Sequence, residues 1–294
     1  MPWKKTDTGV IHFISEEQGL WSDVVSKATG LTVGQLQSLK DLGAIYRGER
    51  RLNEDFEVQH EEYLRIHTQP RRYPKSHQIL AHKIIQHECE DLIIVDKPAG
   101  LPCHPTVDNT KENLVSILKD QISNEVRLTH RLDVATSGLL VFAKSLTAQN
   151  IFHELLKTRQ VKKVYQALVK FPGPNLGLYE HHMLKTDWAP KEIRSTPSEQ
   201  TQNCLLQILK SEKYKEWSKL EIELLTGRTH QIRAQLAFME FPIIDDQLYL
   251  TGSNRQPDEQ ISLRCVQLGF RWKDKKMDFR ISDLTKNDES QKTE

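Results

Sequence analysis

The chain has 294 residues, of which 37% are hydrophobic and 28% are charged, and its formal net charge is +1. No apolar run approaches the ~18 residues that a membrane span requires, and the polar start lacks the apolar core of a signal peptide. We therefore expect a protein without a membrane segment that works in the cytoplasm, and only local clusters of charge bear on nucleic-acid binding.

Residues 1–72 are predicted to form a small separate module. Val10–Ile14 has the pattern of a short strand, and apolar spacing predicts a helix over residues 16–28. Thr32 is placed to cap a second helix that ends near Gly43. The turn that follows is basic, although nearby acids dilute its charge: Arg47, Arg50 and Arg51.

Residues 73–82 form the predicted linker, because proline and basic residues occur there without hydrophobic periodicity. Residues 83–284 are the predicted larger domain. It opens with a buried strand, Leu92–Lys97, and the prolines and glycine that follow predict a loop. Residues 285–294 have no apolar anchor, and we expect them to be disordered.

The segment around Asp133 carries the strongest candidate for chemistry. In extended backbone, residues i and i+2 point to the same side, so Arg131 and Asp133 can face one cavity while Leu132 turns into the core. Residues 139–143 are uniformly apolar and predict a strand buried on both faces. A carboxylate on a loop anchored by such a strand is a common catalytic arrangement, although a turn former with a surface ion pair fits these residues too.

A second candidate segment follows a helix that Ser145 is placed to cap. Residues 161–170 are predicted to form a strand in which Lys163 and Tyr165 lie on one side. Residues 155–170 contain five cations and no acid. Cations with an interleaved aromatic ring suit phosphate contact and base stacking, while packing within a sheet is the alternative role of Tyr165.

The rest of the larger domain contains one region without a clear pattern and one region with a clear strand pattern. Residues 172–202 are expected to be largely irregular, with a short strand near residues 182–184. Residues 219–224 alternate between polar and apolar side chains and predict a half-exposed strand. Thr229 is placed to cap the helix that follows.

The cysteines and histidines do not predict a metal site. Adjacent residues on a strand point to opposite faces, which argues against joint ligation by His181 and His182. The four cysteines are far apart and are expected to be reduced and packed: Cys89, Cys103, Cys204 and Cys265.

Three separated motifs closely resemble the signatures of the RluA family of RNA pseudouridine synthases. They are His130-Arg-Leu-Asp133 with the Thr-Ser-Gly-Leu-Leu that follows, Lys163-x-Tyr165-x-Ala-x-Val169, and Thr226-Gly-Arg-Thr-His-Gln-Ile-Arg233. Residues 1–72 loosely resemble the ribosomal-protein-S-four-like RNA-binding domain that precedes the catalytic domain in many family members. Departures from the family pattern occur at Gln235, at Asp245-Asp-Gln247 and at Leu263-Arg-Cys265.

The resemblance implies isomerisation of uridine to pseudouridine in RNA, without a metal or organic cofactor. Asp133 matches the catalytic residue, Tyr165 the residue that stacks on the target base, and Arg228 the arginine that forms a salt bridge to the catalytic Asp. Arg233 is expected to support the structure or contact the RNA backbone. Further substrate-binding candidates are Arg131, Lys163 and His130. Asp133 would act as a nucleophile or as the base that removes a sugar proton, and the target nucleotide would be flipped out of its stack.

Two other functions compete with this one. A hydrolase of the glycosidase kind would need a second carboxylate at the site, and a non-catalytic RNA-binding protein could retain the fold. The expected fold is α+β: a catalytic domain with a central, mostly antiparallel sheet, plus a small N-terminal α/β module. The expected partner is RNA, with ribosomal RNA favoured and transfer RNA possible. No obligate protein partner is evident, and we expect a monomer.

Overall fold

The computed structural model describes residues 2–251 and 260–284, so the predicted disordered tail, 285–294, lies outside the described residues. The chain divides into two compact units. The first comprises Met1–Ile79 and His104–Asp120, and the second comprises Leu80–Cys103 and Gln121–Glu294. The domain boundaries at residues 72 and 83 stay predictions. The predicted linker contains a 3-10 helix, Pro74–Gln78, and the start of helix α3, Ala81–Ile84.

The first unit is built on a five-stranded sheet. In spatial order its strands are β1 (Trp3–Lys5), β2 (Val10–Ile14), β7 (Tyr63–His67), β4 (Ile45–Arg47) and β5 (Arg50–Arg51). A second, two-stranded sheet pairs β3 (Gly19–Leu20) with β6 (Glu57–Val58). All these pairings are antiparallel.

Two helices, α1 (Trp21–Thr29) and α2 (Val33–Leu42), complete the core of this unit. Thr32 caps α2 as predicted, because its hydroxyl accepts a hydrogen bond from the backbone N–H of Gln35. Helix α1 begins later than predicted, since the two residues before it pair with β6 instead. Similarity to the ribosomal-protein-S-four-like domain stays a prediction.

The basic turn of the first unit is largely engaged in internal contacts. Arg47 forms an ion pair with Glu62 and stacks on Phe56. Arg51 donates hydrogen bonds to the carbonyls of Gly43 and, at 2.5 Å, Thr106. Two of the three arginines of the turn, Arg47 and Arg51, are therefore held by contacts within the first unit.

The second unit contains an eleven-stranded sheet. Its main path runs β14 (Ile193–Arg194), β13 (Gly177–Leu184), β15 (Thr201–Lys213), β16 (Trp217–Leu224), β12 (Lys162–Lys170), β17 (Leu263–Trp272), β11 (Ser137–Ala143), β9 (Leu92–Lys97) and β8 (Ile85–Glu88). Off this path, β10 (Arg127–Leu128) pairs with β11, and β18 (Lys275–Arg280) pairs with β17. Within the described ranges, β11 and β17 form the one parallel pair. The predicted α+β fold with a mostly antiparallel sheet is confirmed.

Residues 172–202 are more regular than predicted. Strand β13 is eight residues long and pairs along its whole length with β15. Its burial alternates only weakly, because it lies near the edge of the sheet, and this obscures the period-two signal in the sequence.

The second unit contains helices α5 (Leu146–Lys157), α6 (Gln231–Phe238) and α7 (Gln247–Leu250). Helix α4 (Leu114–Gln121) belongs to the first unit except for its last residue. Ser145 caps α5 as predicted. Thr229 does not cap α6, because the helix starts after His230, a residue in the left-handed conformation. None of the helices in the described ranges is long and apolar enough to cross a membrane.

Candidate active site

Asp133 lies on the loop that joins β10 to β11, a strand buried along its whole length. Leu132 is 6% exposed, as predicted for a side chain that turns into the core. Arg131 is exposed, and the Asp133 side chain is 22% exposed. The loop thus presents a carboxylate that is partly shielded from water and still accessible.

A buried lysine holds the backbone on one side of Asp133. Lys97 is fully buried, and its ammonium donates hydrogen bonds to the carbonyls of Pro98, Leu101 and Val134 at 2.9, 2.8 and 3.1 Å. Three carbonyl acceptors compensate the loss of water around this charge. Because Val134 follows Asp133 directly, the hydrogen bonds of Lys97 connect the loop that carries Asp133 with the loop that follows β9.

A buried cysteine holds the other side. The Cys103 thiol donates to the Leu132 carbonyl at 3.2 Å and accepts from the Leu132 N–H at 3.4 Å. Burial raises the pKa of Cys103, so the group stays a thiol that can make both contacts. The two residues that flank Asp133 are therefore both fixed through their backbones.

Arg233 is the cation that faces Asp133. Its Nη1 lies 3.5 Å from Oδ2 of Asp133, and its Nε and Nη2 donate to the two carboxylate oxygens of Asp246 at 2.7 and 2.9 Å. Burial opposes the charged form, but the hydrogen bonds to Asp246 and the charge of Asp133 outweigh it and raise the pKa of Arg233. The Tyr249 ring lies 5.2 Å from the guanidinium carbon. These contacts fix a positive charge beside Asp133.

Arg228 does not form the predicted salt bridge. It is exposed before α6, its Nε donates to the Asn203 carbonyl at 3.4 Å, and it has no ion pair within the described part of the chain. The predicted pairing was wrong because Arg228 precedes the helix, whereas Arg233 lies on the helix's buried side. A signal for Arg233 was present: Asp246, its bidentate partner, occupies the Asp position of the family's Gly-Asp-Pro.

Tyr165 lies in β12 between β16 and β17, and it is 5% exposed. A register shift between Val164 and Tyr165 sets it opposite Cys265 of β17. Burial, together with nearby Cys265 and Asp133, raises the pKa of Tyr165 well above its ordinary value. The phenol is thus neutral and within electrostatic range of Asp133.

Lys163 lies two residues before Tyr165 on the same strand. Its side chain is half-buried beside Gly227, and burial lowers its pKa. In residues 2–251 and 260–284 it forms no ion pair. Lys163 is therefore a cation near the candidate site that lacks an anionic partner.

Arg131 points away from the core, and its Nη2 approaches the Thr229 hydroxyl at 3.5 Å. The loop before α6 and the Asp133 loop are thus adjacent at an exposed surface. Arg131 and Arg228 both stand on this surface, on these two loops.

His130 has the contacts of a structural residue. Its Nε2 accepts a hydrogen bond from the Val141 N–H at 3.3 Å, and its ring stacks on buried Phe152. Burial and the positive charge of Lys163 lower the pKa of His130 to about 3, so the imidazole is neutral. Its predicted role in substrate binding stays a prediction that these contacts do not support.

A second ring system beside Arg233 was missed from the sequence. The Tyr249 hydroxyl accepts a hydrogen bond from the Lys191 N–H at 2.9 Å and lies 3.3 Å from Nδ1 of His230. Burial lowers the pKa of His230, while the nearby charge of Asp133 works in the opposite direction. His230 and Tyr249 therefore lie in the electrostatic environment of Asp133.

Asp133 and Asp246 do not form a pair of the kind that glycosidases use. Asp246 is 1% exposed, and both its oxygens are bound by Arg233, so it is not free to protonate a leaving group. No group of three or more His, Cys, Asp or Glu side chains that could hold a metal ion occurs in the described ranges.

Comparison with known proteins gives consistent matches. The family model for RNA pseudouridylate synthase matches residues 91–238. RNA pseudouridine synthase 6, chloroplastic, from Arabidopsis thaliana is 30% identical over 214 residues, which are 65% of this chain and 45% of that protein. Ribosomal large subunit pseudouridine synthase D from Xylella fastidiosa is 36% identical over 183 residues, 59% of this chain and 53% of that one. The chain thus spans about half the length of these curated relatives.

Among solved structures, Human RNA Pseudouridylate Synthase Domain Containing 4 matches with a TM-score of 0.55 and 22% identity. The match covers 69% of this chain and 89% of that one. The fold is therefore shared at low sequence identity. The family match extends over half of the chain and includes all three motifs, and on these grounds the chain belongs to the RNA pseudouridylate synthase family, as the resemblance to its RluA members predicted.

Proposed function

We propose that this protein isomerises uridine to pseudouridine in RNA, with Asp133 as the catalytic residue. The observation that carries the proposal is the arrangement of Asp133, Arg233 and Asp246: a partly exposed carboxylate, a buried cation 3.5 Å away, and a buried carboxylate that fixes the cation. Preorganised charges of this kind need no rearrangement during the reaction.

In the proposed reaction, the bond from the base nitrogen to the sugar breaks, the uracil turns, and a carbon–carbon bond to the sugar forms. One proton leaves the base carbon and one is gained by the base nitrogen, so the product is an isomer of the substrate. Asp133 serves as the nucleophile or as the base that removes a sugar proton. Arg233 orients the carboxylate and balances its charge in both routes.

The target nucleotide must leave its stack to reach a carboxylate with this limited exposure, so we propose that it is flipped, at a few kcal/mol of unstacking. Contact with the Tyr165 ring offsets part of this cost, since stacking on an aromatic ring contributes ~1–3 kcal/mol per base. Arg131, Arg228 and Lys163 supply the positive charge that the neighbouring phosphates require.

Ribosomal RNA is the favoured substrate, because the relative from Xylella fastidiosa is named as a synthase of the large ribosomal subunit. Transfer RNA is the second candidate. The expected cytoplasmic location and the expected monomer stay predictions. The non-catalytic RNA-binding alternative has less support, because Asp133 remains accessible and its cation is in place.

The test is pseudouridine mapping of total RNA from cells with and without the protein, rescued by the wild-type chain or by Asp133→Asn. We expect at least one site that is lost on deletion and restored by the wild type alone. Purified Asp133→Asn should bind the RNA with the affinity of the wild type, within about threefold, and show no isomerisation, because the amide cannot act as an anion. Isomerisation by Asp133→Asn would contradict the assignment, and an unchanged map with no activity on purified ribosomal or transfer RNA would favour the binding protein.

A further inference from the structure

The outer face of the first unit's sheet carries a transverse row of cationic and aromatic side chains. The strand registers align Lys4 with His12, His12 with Arg65, Arg65 with Tyr46, and Tyr46 with Arg51. The row crosses all five strands and contains no acid. Its end on β4 and β5 is covered, because Tyr46 is 6% exposed and donates to the Val107 carbonyl, and Arg51 donates to the carbonyls of Gly43 and Thr106. We call the open part of the row, which is Lys4, His12 and Arg65, together with Ile14 and Tyr63 on the neighbouring row, the outer sheet face.

This face is distinct from the one that packs the core. Residues on the alternate positions of the same strands are buried under the helices, including Ile11, Phe13, Leu64 and Ile66. On the outer sheet face, Lys4 and His12 are exposed, Ile14 is 51% exposed and Tyr63 is 36% exposed.

An aromatic platform lies at one end of this face. The rings of His12 and Tyr63 stack with their centres 6.0 Å apart and 23° between their planes. The Tyr63 hydroxyl and Nδ1 of His12 are 2.6 Å apart. This contact holds two exposed rings in nearly parallel planes, which is the geometry that a stacking base requires.

The cations of the row are not neutralised by carboxylates. Within the described ranges, neither Lys4 nor Arg65 forms an ion pair, and Arg65 stacks on the Tyr46 ring at 4.3 Å. Burial, Arg65, Arg51 and His12 lower the pKa of His67 on the same strand as Arg65, and Asp108 works in the opposite direction. Asp108 itself accepts hydrogen bonds from the Arg71 N–H and the Thr106 hydroxyl. The net charge of the face is positive.

We infer that the outer sheet face binds a single-stranded segment of RNA, with a base on the His12–Tyr63 platform and phosphates on Lys4 and Arg65. The inference rests on the proposed function only in taking RNA as the substrate class. Alternating rings and unpaired cations are what sequence-tolerant binding of single strands needs. The same row lacks the continuous apolar area that a protein partner would bury.

The test measures binding of a fluorescein-labelled single-stranded oligouridylate to the full chain by fluorescence anisotropy, in the Asp133→Asn background so that no isomerisation intervenes. We expect Tyr63→Ala to weaken binding about 5- to 150-fold, the range that loss of one stacked base gives. Tyr63→Phe keeps the ring and loses only the hydroxyl contact with His12, so it should weaken binding less than Tyr63→Ala does. Lys4→Gln should lower the slope of log affinity against log salt by about 0.7. Lys5→Gln, on the same strand but aligned with core-facing Ile11, is the matched control and should leave the slope unchanged.

A second measurement uses the chain with Tyr63 unchanged, so its result does not depend on whether a substituted chain folds. Photocrosslinking of 4-thiouridine RNA to the full chain should give adducts on peptides that contain His12 or Tyr63. Absence of these adducts, or parental affinity for Tyr63→Ala, would overturn the inference. If Tyr63→Ala changed the sedimentation coefficient of the chain and left its RNA affinity unchanged, the face would be a contact with a second copy of the chain. That outcome would also overturn the inference.

The two proposals fail in different ways. Parental RNA binding by Tyr63→Ala, with isomerisation intact in the chain that retains Asp133, would remove this inference alone. Loss of binding in Tyr63→Ala, with no isomerisation of any RNA by the chain that retains Asp133, would remove the proposed function and leave the surface assigned.

Discussion

Arg228 and Arg233 belong to one octapeptide, yet their surroundings are opposite. Arg228 is exposed, whereas Arg233 is 4% exposed and lies between Asp133 and Asp246. We predict that Arg233→Gln lowers the single-turnover rate by about 100-fold or more, because a preorganised charge beside the reacting group is lost. Arg228→Gln should lower RNA affinity by less than about tenfold and leave the rate at saturating RNA unchanged. Rapid-quench kinetics with a uridine-labelled RNA measures both.

Arg233→Gln will also destabilise the fold, because it leaves Asp246 buried without a counter-charge, at about 3–5 kcal/mol. The double variant Arg233→Gln with Asp246→Asn removes that buried charge and should recover much of the stability without recovering the rate. A double variant that regained the rate as well would show that Arg233 acts on folding alone. Equal effects of the two arginine substitutions on the rate would contradict the assignment of Arg233 to Asp133.

At the residue scale the sequence indicates a candidate reactive group, Asp133, whose role stays a prediction, but it does not indicate which cation lies beside that group. Asp133 stands out because Arg131, Leu132 and Asp133 alternate ahead of an apolar strand, a strictly local pattern. The choice between Arg228 and Arg233 depends on where α6 begins. His230 adopts φ 58, and this single left-handed residue starts the helix after Arg228 and turns Arg233 inward. Since a non-glycine residue rarely adopts that conformation, local propensity does not predict it.

Among the elements, the parallel pairing of β11 with β17 has one strict requirement. Gly138 has φ +113, and a Cβ at this position would lie 2.2 Å from the carbonyl oxygen of Cys265. We predict that Gly138→Ala destabilises the second unit by about 4 kcal/mol or more, since backbone must separate from backbone. Hydrogen exchange on peptides from β11 and β17 measures the change.

Gly34→Ala is the matched control for that substitution. Gly34 lies in α2, and an added Cβ would meet nothing within 4 Å. Alanine should therefore leave α2 unchanged or stabilise it by up to about 1 kcal/mol. If β11 of the Gly138→Ala variant exchanged its amide hydrogens at the wild-type rate, the parallel pair would tolerate a wider spacing between strands than its contacts indicate. Because Cys265 pairs with Tyr165 on the next strand, the predicted loss should also reduce isomerisation.

Strands with a clean period were predictable, and those at the sheet edge were not. Leu220, Ile222 and Leu224 of β16 alternate with polar residues and are buried as predicted. The prolines, glycines and charges of residues 172–202 predict a largely irregular region with a short strand near residues 182–184. The observed strand β13 is longer, and both its faces are partly exposed. Its pairing with β15 depends on contacts between residues distant in sequence, which no local pattern encodes.

In the whole molecule, residues 104–120 group with the first unit although residues 80–103 do not. The sequence offers no periodic signal for this grouping. Glu112 is the residue that fastens the segment, since it accepts hydrogen bonds from Arg72, the Tyr73 N–H and Asn109 and contacts His77. A buried carboxylate with several donors is recognisable only when the distant donors are known.

Glu112 should make the first unit sensitive to acid. Burial alone would raise its pKa, but the hydrogen bonds from Arg72, Tyr73, His77 and Asn109 outweigh burial and lower the pKa to about 2 from the ordinary 4.5. Because the folded-state pKa is the lower one, the ionised carboxylate stabilises the fold above pH 4.5. That contribution, on the order of 3 kcal/mol, is lost as pH falls from 4.5 to about 2.

Glu112→Gln removes this linkage. We predict that the variant is less stable than the wild type at pH 7 by roughly 3 kcal/mol and that the difference shrinks to near zero at pH 2. Urea unfolding followed by the fluorine signal of 5-fluorotryptophan at Trp21 reports on the first unit, since Trp21 is fully buried in its core. Asp55, whose pKa is also about 2, is present in both proteins, so its contribution cancels in the difference. A stability difference that stayed constant from pH 7 to pH 2 would mean that the amide loses packing or geometry rather than charge, and Glu112 would then not be the source of the acid sensitivity.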